Sequence, residues 1–233
     1  MGRNEDSNDW HGKVALVAFA KNPEAVPVKT RLARSLGEAH AAKLYTAFLK
    51  DCLTGLTRVE GGVAYLACYP ETEACFFKQL KTEYGVKLIR QHGCNLGERM
   101  LNCAKELLGS YQAVIIFGTD VPVIPAESVR TALDGMRYWD VLLGPCPDGG
   151  YYALGVRNIA DSMFSGVVWG SESVFLQTVK NCVNEGLEVS FLDLIDDIDD
   201  IEALRRLAGK LDVNRCIAVH TRGILEKIDL VAN

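Results

Sequence analysis

Three cations and a hydroxyl group lie close together after the first apolar run of the sequence. They are Lys21, Lys29, Thr30 and Arg31. Lysine offers a point charge and arginine a planar fork of donors, and a helix N-terminus would add free N–H groups. This group could therefore bind a polyphosphate. The spacing matches neither the P-loop nor the G-x-G-x-x-G pattern, and solvated loop cations are the alternative interpretation.

An acidic residue, Asp120, comes directly after the apolar run AVIIFGT. Mg²⁺ in proteins takes one or two carboxylates and completes its coordination with water and phosphate oxygens. The position therefore predicts a divalent cation that is held against phosphate groups. The alternative is that Asp120 caps the helix predicted to begin near Pro125.

Two further acidic groups follow later strands. Asp148 lies in a turn with Gly149 and Gly150, where paired glycines let the backbone approach a ligand, although Asp-Gly-Gly is also simply a good turn. The second group is Asp196, Asp197, Asp199 and Asp200. Packed carboxylates repel one another unless a cation or a helix N-terminus compensates, and helix capping explains one or two of them.

Two polar loops could line a ligand pocket. The segment from Gln91 to Met100 (QHGCNLGERM) enters a predicted helix and could surround a base or ribose, although Asn95 could equally be an N-cap that forms a capping box with Glu98. Trp169, two residues before Ser171, could stack on a ligand. It could also be a residue at the rim of the core, with Ser171 as the helix cap.

The elements that position these residues alternate between strand and helix. Short apolar runs predict strands, and three- and four-residue spacing of apolar residues predicts helices. Strands are predicted at 14–20, 63–69, 86–91, 113–119, 140–145, 151–156 and 189–194. Helices are predicted around 44–53, 71–83, 96–108, from about 125 and over 171–185, with one or two more at the C-terminus. This alternation indicates an α/β fold with a mostly parallel sheet, whose ligands bind at the carboxyl ends of the strands.

Composition excludes several classes. With 233 residues and a net charge of −5, the chain lacks the basic surface of a nucleic-acid-binding protein. No apolar run reaches the length of a membrane span and the N-terminus lacks a signal peptide, so we expect a cytoplasmic protein without membrane contact. The eight cysteines are scattered, which favours reduced thiols over zinc sites or disulfides. We expect a flexible tail at 1–12 and a single domain at 13–233, with a homodimer as an open alternative.

Six motifs in order carry a resemblance to a known family. They are AKNP…VKTRL, QHGCNLGERM, FGTDVPVIP, LGPCPDGGYYALG, VVWGS and DIDDIEAL, between about residues 14 and 207. Together they resemble the bacterial DUF2064 family, described as glycosyltransferase-like or as "transferase 1, rSAM/selenodomain-associated". That family is similar to the nucleotide-diphospho-sugar transferase (GT-A) superfamily, and within it to the 2-phospho-lactate and molybdenum-cofactor guanylyltransferases.

The resemblance implies a three-layer α/β/α fold that binds a nucleotide in its N-terminal half and an acceptor in its C-terminal half. Asp120 falls at the metal position, with Asp197 or Asp199 as a second contact. The expected nucleotide-binding residues are Lys21, Lys29, Thr30, Arg31, Asn95, Gly97 and Arg99. The expected acceptor-binding residues are Asp148, Gly149, Gly150, Trp169 and Ser171.

The expected function is that of a transferase that uses Mg²⁺ or Mn²⁺ and moves a nucleotidyl group from an NTP to a small phosphorylated acceptor. Asp120 and Lys29 would be catalytic, with Asp148 as the candidate base if the acceptor is a hydroxyl group. Glycosyl transfer from a nucleotide sugar uses the same scaffold and stays open. A non-catalytic nucleotide-binding module is the third alternative, because Ala25-Val26-Pro27 stands where the family has Pro-Gly-x.

Overall fold

Seven strands form one central sheet in the computed structural model, which describes residues 10–213 and 217–228. The strands are β1 (Val14–Lys21), β2 (Gly62–Tyr69), β3 (Lys87–Arg90), β4 (Ala113–Gly118), β5 (Val141–Pro145), β6 (Tyr151–Val156) and β7 (Val189–Phe191). Their order across the sheet is β3-β2-β1-β4-β6-β5-β7. Only β6 runs antiparallel to its neighbours, β4 and β5. The predicted mostly parallel sheet is confirmed, including the chain reversal between β5 and β6.

The described residues form eight α-helices around the sheet. They are α1 (Thr30–Leu36), α2 (Glu38–Thr57), α3 (Cys75–Tyr84), α4 (Leu96–Leu108), α5 (Ala126–Gly135), α6 (Val174–Asn184), α7 (Ile201–Val213) and α8 (Val219–Leu225). A short 3₁₀ turn at Asp161–Phe164 precedes α6. Gly37 separates α1 from α2, because its φ of 82° lies in a region that ends a helix and favours glycine.

The helices form two outer layers and a corner. Buried residues of α2, α3 and α5 pack on one face of the sheet, and those of α4 and α6 pack on the other. A third apolar cluster joins α1 and α2 to α7 and α8. The strands at the centre are apolar on both sides, as in Val14 to Ala18 of β1, because both faces are covered. The predicted three-layer α/β/α architecture is confirmed.

The position of β1 decides where a site can form. The chain moves from β1 to β2 and β3 on one side, and then returns to place β4 on the other side of β1. Connections leave the carboxyl ends of β1 and β4 in opposite directions, which opens a crevice between them. Lys21 ends β1, and Asp120 follows β4 by two residues.

Three further expectations concern the N-terminal tail, the cysteines and membrane-spanning helices. Of the predicted flexible tail, residues 1–9 lie outside the described residues, whereas Trp10 packs against the core and Gly12 donates its N–H to Gly61 O at 3.0 Å. The seven cysteines that the structure describes are free thiols, as predicted. Among the described helices, none combines the length and apolar character needed to cross a bilayer.

Candidate active site

A cleft of about 530 Å³ opens at the carboxyl ends of β1 and β4. One end is polar and is lined by Lys21, Lys29, Thr30, Arg31, Asp120 and Asp199. The remainder is lined by apolar side chains of β1, β4, β6 and α4, together with Gln91 and Arg99. The cleft thus joins a charged end to an apolar slot, which is the shape that a ligand with an anionic and an aromatic part requires.

Lys29 is the buried centre of the polar end. Its ammonium group lies 2.6 Å from Asp120 Oδ1 and 2.9 Å from Asp199 Oδ1, and its side chain is only 2% exposed. The ring of Phe48 lies 5.6 Å from the same nitrogen. Burial alone would lower the pKa of Lys29, but the charges and hydrogen bonds of Asp120 and Asp199 outweigh it and raise the pKa. The group therefore stays an ammonium ion at neutral pH.

The loop before Lys29 forms without the glycine that the family usually has. The Asn22 carbonyl accepts from Ala25 N at 3.1 Å and from Val26 N at 3.0 Å, which closes a tight turn. Positive φ falls instead on Lys29 itself, at 46°. A non-glycine residue in this region costs roughly 1–3 kcal/mol, which the surrounding contacts must offset. The strained residue is the one whose side chain reaches both carboxylates.

Asp120 does not cap the helix that follows it. The residue before α5 is Pro125, and that helix end has no side-chain cap. The carboxyl group of Asp120 is 56% exposed and contacts Lys29, while its carbonyl oxygen accepts from Ile198 N at 3.1 Å. The helix-cap alternative from the sequence is therefore wrong, and the carboxylate faces the cleft.

The four aspartates between positions 196 and 200 have different contacts. Asp200 Oδ1 accepts from Ala203 N at 2.8 Å at the start of α7, and Asp196 Oδ2 accepts from Lys210 Nζ at 3.0 Å. Asp199, 40% exposed, joins Asp120 at Lys29. Asp197 belongs to an adjoining group, in which its carboxylate, that of Asp148 and the Cys146 thiol lie within 4.8 Å of one another. Of the two residues left open by the sequence, Asp199 is the one beside Asp120.

The surroundings of Asp197 disfavour the ionised form of its carboxyl group. Burial, followed by the charges of Asp148 and Asp199, raises its pKa from 3.8 to about 6. Burial also raises the pKa of the Cys146 thiol, with the nearby carboxylates adding to it, so that thiol is not a thiolate at neutral pH. A raised carboxyl pKa means that ionised Asp197 destabilises the folded state.

Replacement of Asp197 by Asn gives a pH-dependent gain in stability. The folded chain keeps the Asp197 proton up to about pH 6, whereas an unfolded chain releases it near pH 4. The folded state binds more protons in that window, so this group's contribution to stability falls as the pH rises through it. Asp197→Asn is expected to raise the melting temperature at pH 7.5 more than at pH 5, measured in EDTA. Asp193→Asn, an exposed carboxylate of the same segment, serves as the control, and an equal effect at both pH values would contradict the assignment.

The Asp148 turn is held from two sides. Asp148 Oδ1 accepts from Gly150 N at 2.9 Å, and Gly149 O accepts from Phe175 N at 2.9 Å. Gly149 has a φ of 82°, and a Cβ atom built there would lie 2.0 Å from Glu172 O. Glycine is therefore required at 149 by the approach of the 172 backbone, whatever ligand binds nearby.

Gly149→Ala is expected to lower the free energy of unfolding by roughly 2–4 kcal/mol. Alanine is strained at this positive φ, and its Cβ atom would overlap with the backbone of Glu172. For a chain of this size that corresponds to a fall of about 2–4 °C in melting temperature per kcal/mol. Gly150→Ala is the matched control, since its Cβ would lie 3.1 Å from a movable Asp148 oxygen. Thermal unfolding of both variants checks the prediction, and equal losses would contradict it.

The predicted nucleotide residues separate into two groups. Lys21, Thr30, Arg31 and Arg99 line the cleft with Lys29. The Arg99 guanidinium stacks 3.9 Å from the centre of the Tyr69 ring and donates from Nε to Gly93 O at 3.1 Å. The structure brings these four cations and one hydroxyl together in one cleft, and their role in nucleotide binding stays a prediction.

Asn95 and Gly97 have local roles at the start of α4. Asn95 Oδ1 accepts from Glu98 N at 2.9 Å, and Glu98 Oε2 accepts from Cys94 N at 2.7 Å. Asn95 is therefore the N-cap of α4, the alternative that the sequence left open. Gly97 is buried, and a Cβ atom there would lie 2.4 Å from the Trp169 ring. Neither residue is among those that line the cleft.

Trp169 and Ser171 lie in the loop between the 3₁₀ turn and α6. Trp169 packs on Phe164, with ring centres 5.9 Å apart, and on Gly97. The Ser171 hydroxyl donates to Val168 O at 2.7 Å. Asp148, Gly149 and Gly150 likewise lie outside the residues that line the main cleft. Their assignment to an acceptor stays a prediction.

The sequence analysis missed several cleft residues, among them Tyr45, Thr119 and Tyr151. Tyr45 looks like one more apolar position of α2, yet its hydroxyl accepts from Lys21 N at 2.7 Å. Thr119 donates its hydroxyl to Phe19 O at 3.1 Å. Tyr151 begins β6 and lines the slot. A polar atom at the end of a strand was a usable signal for Thr119, whereas nothing in the helical spacing distinguishes Tyr45.

The fold and the composition of the cleft define a class, the transferases of nucleotide-diphospho-sugar transferase fold. A protein from Desulfovibrio desulfuricans, provisionally described as a nucleotide-diphospho-sugar transferase, superposes with a TM-score of 0.84 at 30% identity over 93% of this chain and 95% of that one. A cytidylyltransferase from Leptospira borgpetersenii has the same fold, with a TM-score of 0.55 at 15% identity over 93% of this chain and 95% of that chain.

The sequence comparison gives the particular family. The family described as "Uncharacterized protein conserved in bacteria (DUF2064)" matches residues 52–171, and this chain belongs to it. A curated relative, 2-phospho-L-lactate guanylyltransferase from Methanothermobacter thermautotrophicus, is 28% identical over 170 residues, which are 71% of this chain and 70% of that protein. The resemblance drawn from the six motifs is confirmed, and the chain is a transferase.

Proposed function

We propose that this chain is a metal-dependent nucleotidyltransferase that moves a nucleotidyl group from an NTP to a small phosphorylated acceptor. The observation that carries the proposal is the buried Lys29 ammonium, which meets Asp120 and Asp199 at the end of a cleft with an apolar slot. The guanylyltransferase relative supports nucleotidyl transfer as the reaction.

The two carboxylates fit a hard divalent cation. Asp120 and Asp199 each bring an oxygen to one positive centre, and both side chains are half exposed, so water and phosphate oxygens can complete a coordination shell. We therefore assign Mg²⁺ or Mn²⁺ to Asp120 and Asp199. When bound there, the ion would offset the negative charge of the phosphates.

The chain's own residues supply orientation and charge. An oxygen of the acceptor phosphate forms a bond to the α-phosphorus of the NTP, and the bond from that phosphorus to the bridging β-phosphate oxygen breaks, which releases pyrophosphate. The ammonium of Lys29 and the guanidinium of Arg31, which both line the cleft, would stabilise the charge that develops on the leaving pyrophosphate. An acceptor phosphate is already ionised and gives up no proton, so no base is needed. For a hydroxyl acceptor, Asp148 is the candidate base.

Glycosyl transfer is the second candidate, and the Desulfovibrio desulfuricans structure favours it by its description. The two reactions release different products. Nucleotidyl transfer releases pyrophosphate, whereas glycosyl transfer releases a nucleoside diphosphate or monophosphate. Product analysis after incubation with each NTP or nucleotide sugar therefore separates them.

A thermal-shift screen tests the proposal. Each NTP and several nucleotide sugars are added with Mg²⁺, with Mn²⁺ and with EDTA. A ligand at one hundred times its Kd stabilises a folded protein by about 2.7 kcal/mol. We expect the largest shift with an NTP in the presence of metal. If no nucleotide gives a metal-dependent shift, the proposal is wrong, and binding without any turnover would instead support a non-catalytic nucleotide-binding module.

A further inference from the structure

The side-chain amide of Gln91 has a fixed orientation. Its Nε2 group donates to Ala20 O at 3.0 Å and to Ala67 O at 2.8 Å, at the ends of β1 and β2. A flipped amide would set its oxygen against two carbonyl oxygens, which only a donor can satisfy. Both N–H groups are therefore used, and Oε1 remains as an acceptor without a donor among the residues that the structure describes.

Gln91 faces the slot of the cleft. It follows β3 and is two residues after Ile89, so both side chains point to the α4 face of the sheet. The cleft is lined there by apolar groups of Phe19, Met100 and Ile116, with Gln91 among them. A flat ring that enters the slot would meet hydrocarbon on its faces and the Gln91 oxygen at its edge.

The distance to the polar end suits a nucleotide. The Gln91 amide bridges β1 and β2, whereas Asp120 follows β4, the other neighbour of β1. Strands lie about 4.8 Å apart, so the amide is roughly 7 Å along the sheet edge from the end of β4. A nucleotide that arches above this edge would place its base at Gln91 and its phosphates at Lys29 and Asp120. This inference rests on the nucleotide site proposed above.

We infer that Gln91 Oε1 reads the base and selects guanine. An acceptor with two lone pairs requires N–H donors on the ligand. Guanine presents two neighbouring donors, N1–H and the 2-amino group, on one edge. Adenine and cytosine present a single amino group there beside a ring acceptor, and uracil presents one N–H between two carbonyl oxygens. The guanylyltransferase relative is in keeping with this choice.

Binding constants measured with Mg²⁺ test the inference. The ligands are GTP, ATP, CTP, UTP, 2′-deoxy-GTP and purine riboside triphosphate, which has the purine ring without an N–H on its edge. We expect GTP to bind at least about tenfold more tightly than the other three common triphosphates and the purine riboside, the value of one buried neutral hydrogen bond. Equal binding of GTP and purine riboside triphosphate would overturn the inference. So would a loss confined to 2′-deoxy-GTP, since Gln91 would then read the ribose.

The variant Gln91→Met distinguishes recognition of the base by Gln91 from a purely structural role of this side chain. A purely structural Gln91 would weaken all nucleotides alike and leave the ratio of the GTP and purine riboside constants unchanged. We expect that ratio to fall to within about threefold of one. Asn102→Ala, which removes a side-chain bond to His92 O in the same loop, is the control that keeps the ratio. An unchanged ratio in Gln91→Met would overturn the inference. If no triphosphate binds the wild type at all, it is the proposed function that fails.

Discussion

Asp120→Asn is expected to lower turnover by two to three orders of magnitude and to leave the fold almost unchanged. The loss follows because the amide keeps the shape of the side chain but removes the negative charge assigned to a divalent cation, and one lost charge-stabilising group costs about 10²–10³ in rate. The metal-dependent part of the nucleotide thermal shift should disappear with it.

The stability part of this prediction rests on contacts. The Asp120 carboxylate is 56% exposed, caps no helix, and shares its partner Lys29 with Asp199, which stays in place. Asparagine keeps an oxygen that can accept from the buried Lys29 ammonium, and Asp199 still offsets the charge of that ammonium, so the unliganded melting temperature should fall by only a few degrees.

A matched control exists at a distance from the cleft. Asp161 is an exposed carboxylate paired with Lys105, and Asp161→Asn removes an exposed lysine–aspartate pair without touching the site. It should keep both turnover and the metal-dependent shift. If Asp120→Asn kept them too, Asp120 would not be the metal position, and if it unfolded the chain, its role would be structural.

The order of elements could be predicted because strands that are covered on both faces are apolar throughout and can be recognised in the sequence. VALVAFA has no polar alternation since helices cover both faces of β1, and Pro147 to Gly150 permit the reversal between β5 and β6. Because ligands bind at the carboxyl ends of parallel strands, Lys21 and Asp120 could be placed in one crevice from the sequence alone.

Finer placement depended on contacts that no local pattern encodes. Asp197 and Asp199 are two residues apart in a segment without regular secondary structure. No helical or strand periodicity therefore predicted which of the two carboxylates faces Lys29. Trp169 and Gly97 are 72 positions apart in sequence, and their contact follows from how α4 packs. The left-handed backbone of Lys29 was equally hidden, since lysine rarely adopts it.

Lys29→Met is expected to lower turnover by about a thousandfold and, at the same time, to tighten the binding of Mn²⁺ in the absence of nucleotide. The ammonium is the counter-charge that Asp120 and Asp199 share, at 2.6 and 2.9 Å. A divalent cation that binds these carboxylates must therefore compete with Lys29. Methionine fills a similar volume beside Phe48 without a charge, and the two carboxylates that remain are half exposed and can be solvated, so the fold should persist.

With the ammonium gone, two neighbouring carboxylates lack a compensating charge, and a gain of about tenfold in Mn²⁺ affinity is expected from removing one positive charge at this distance. Titration of Mn²⁺ by calorimetry or electron paramagnetic resonance, without nucleotide, measures it. Lys21→Met is the control, because this exposed lysine lines the same cleft but pairs with neither carboxylate. It should weaken nucleotide binding and leave nucleotide-free Mn²⁺ binding unchanged. Unchanged Mn²⁺ affinity in Lys29→Met would mean that the cation binds elsewhere, and turnover within tenfold of the wild type would remove Lys29 from the reaction.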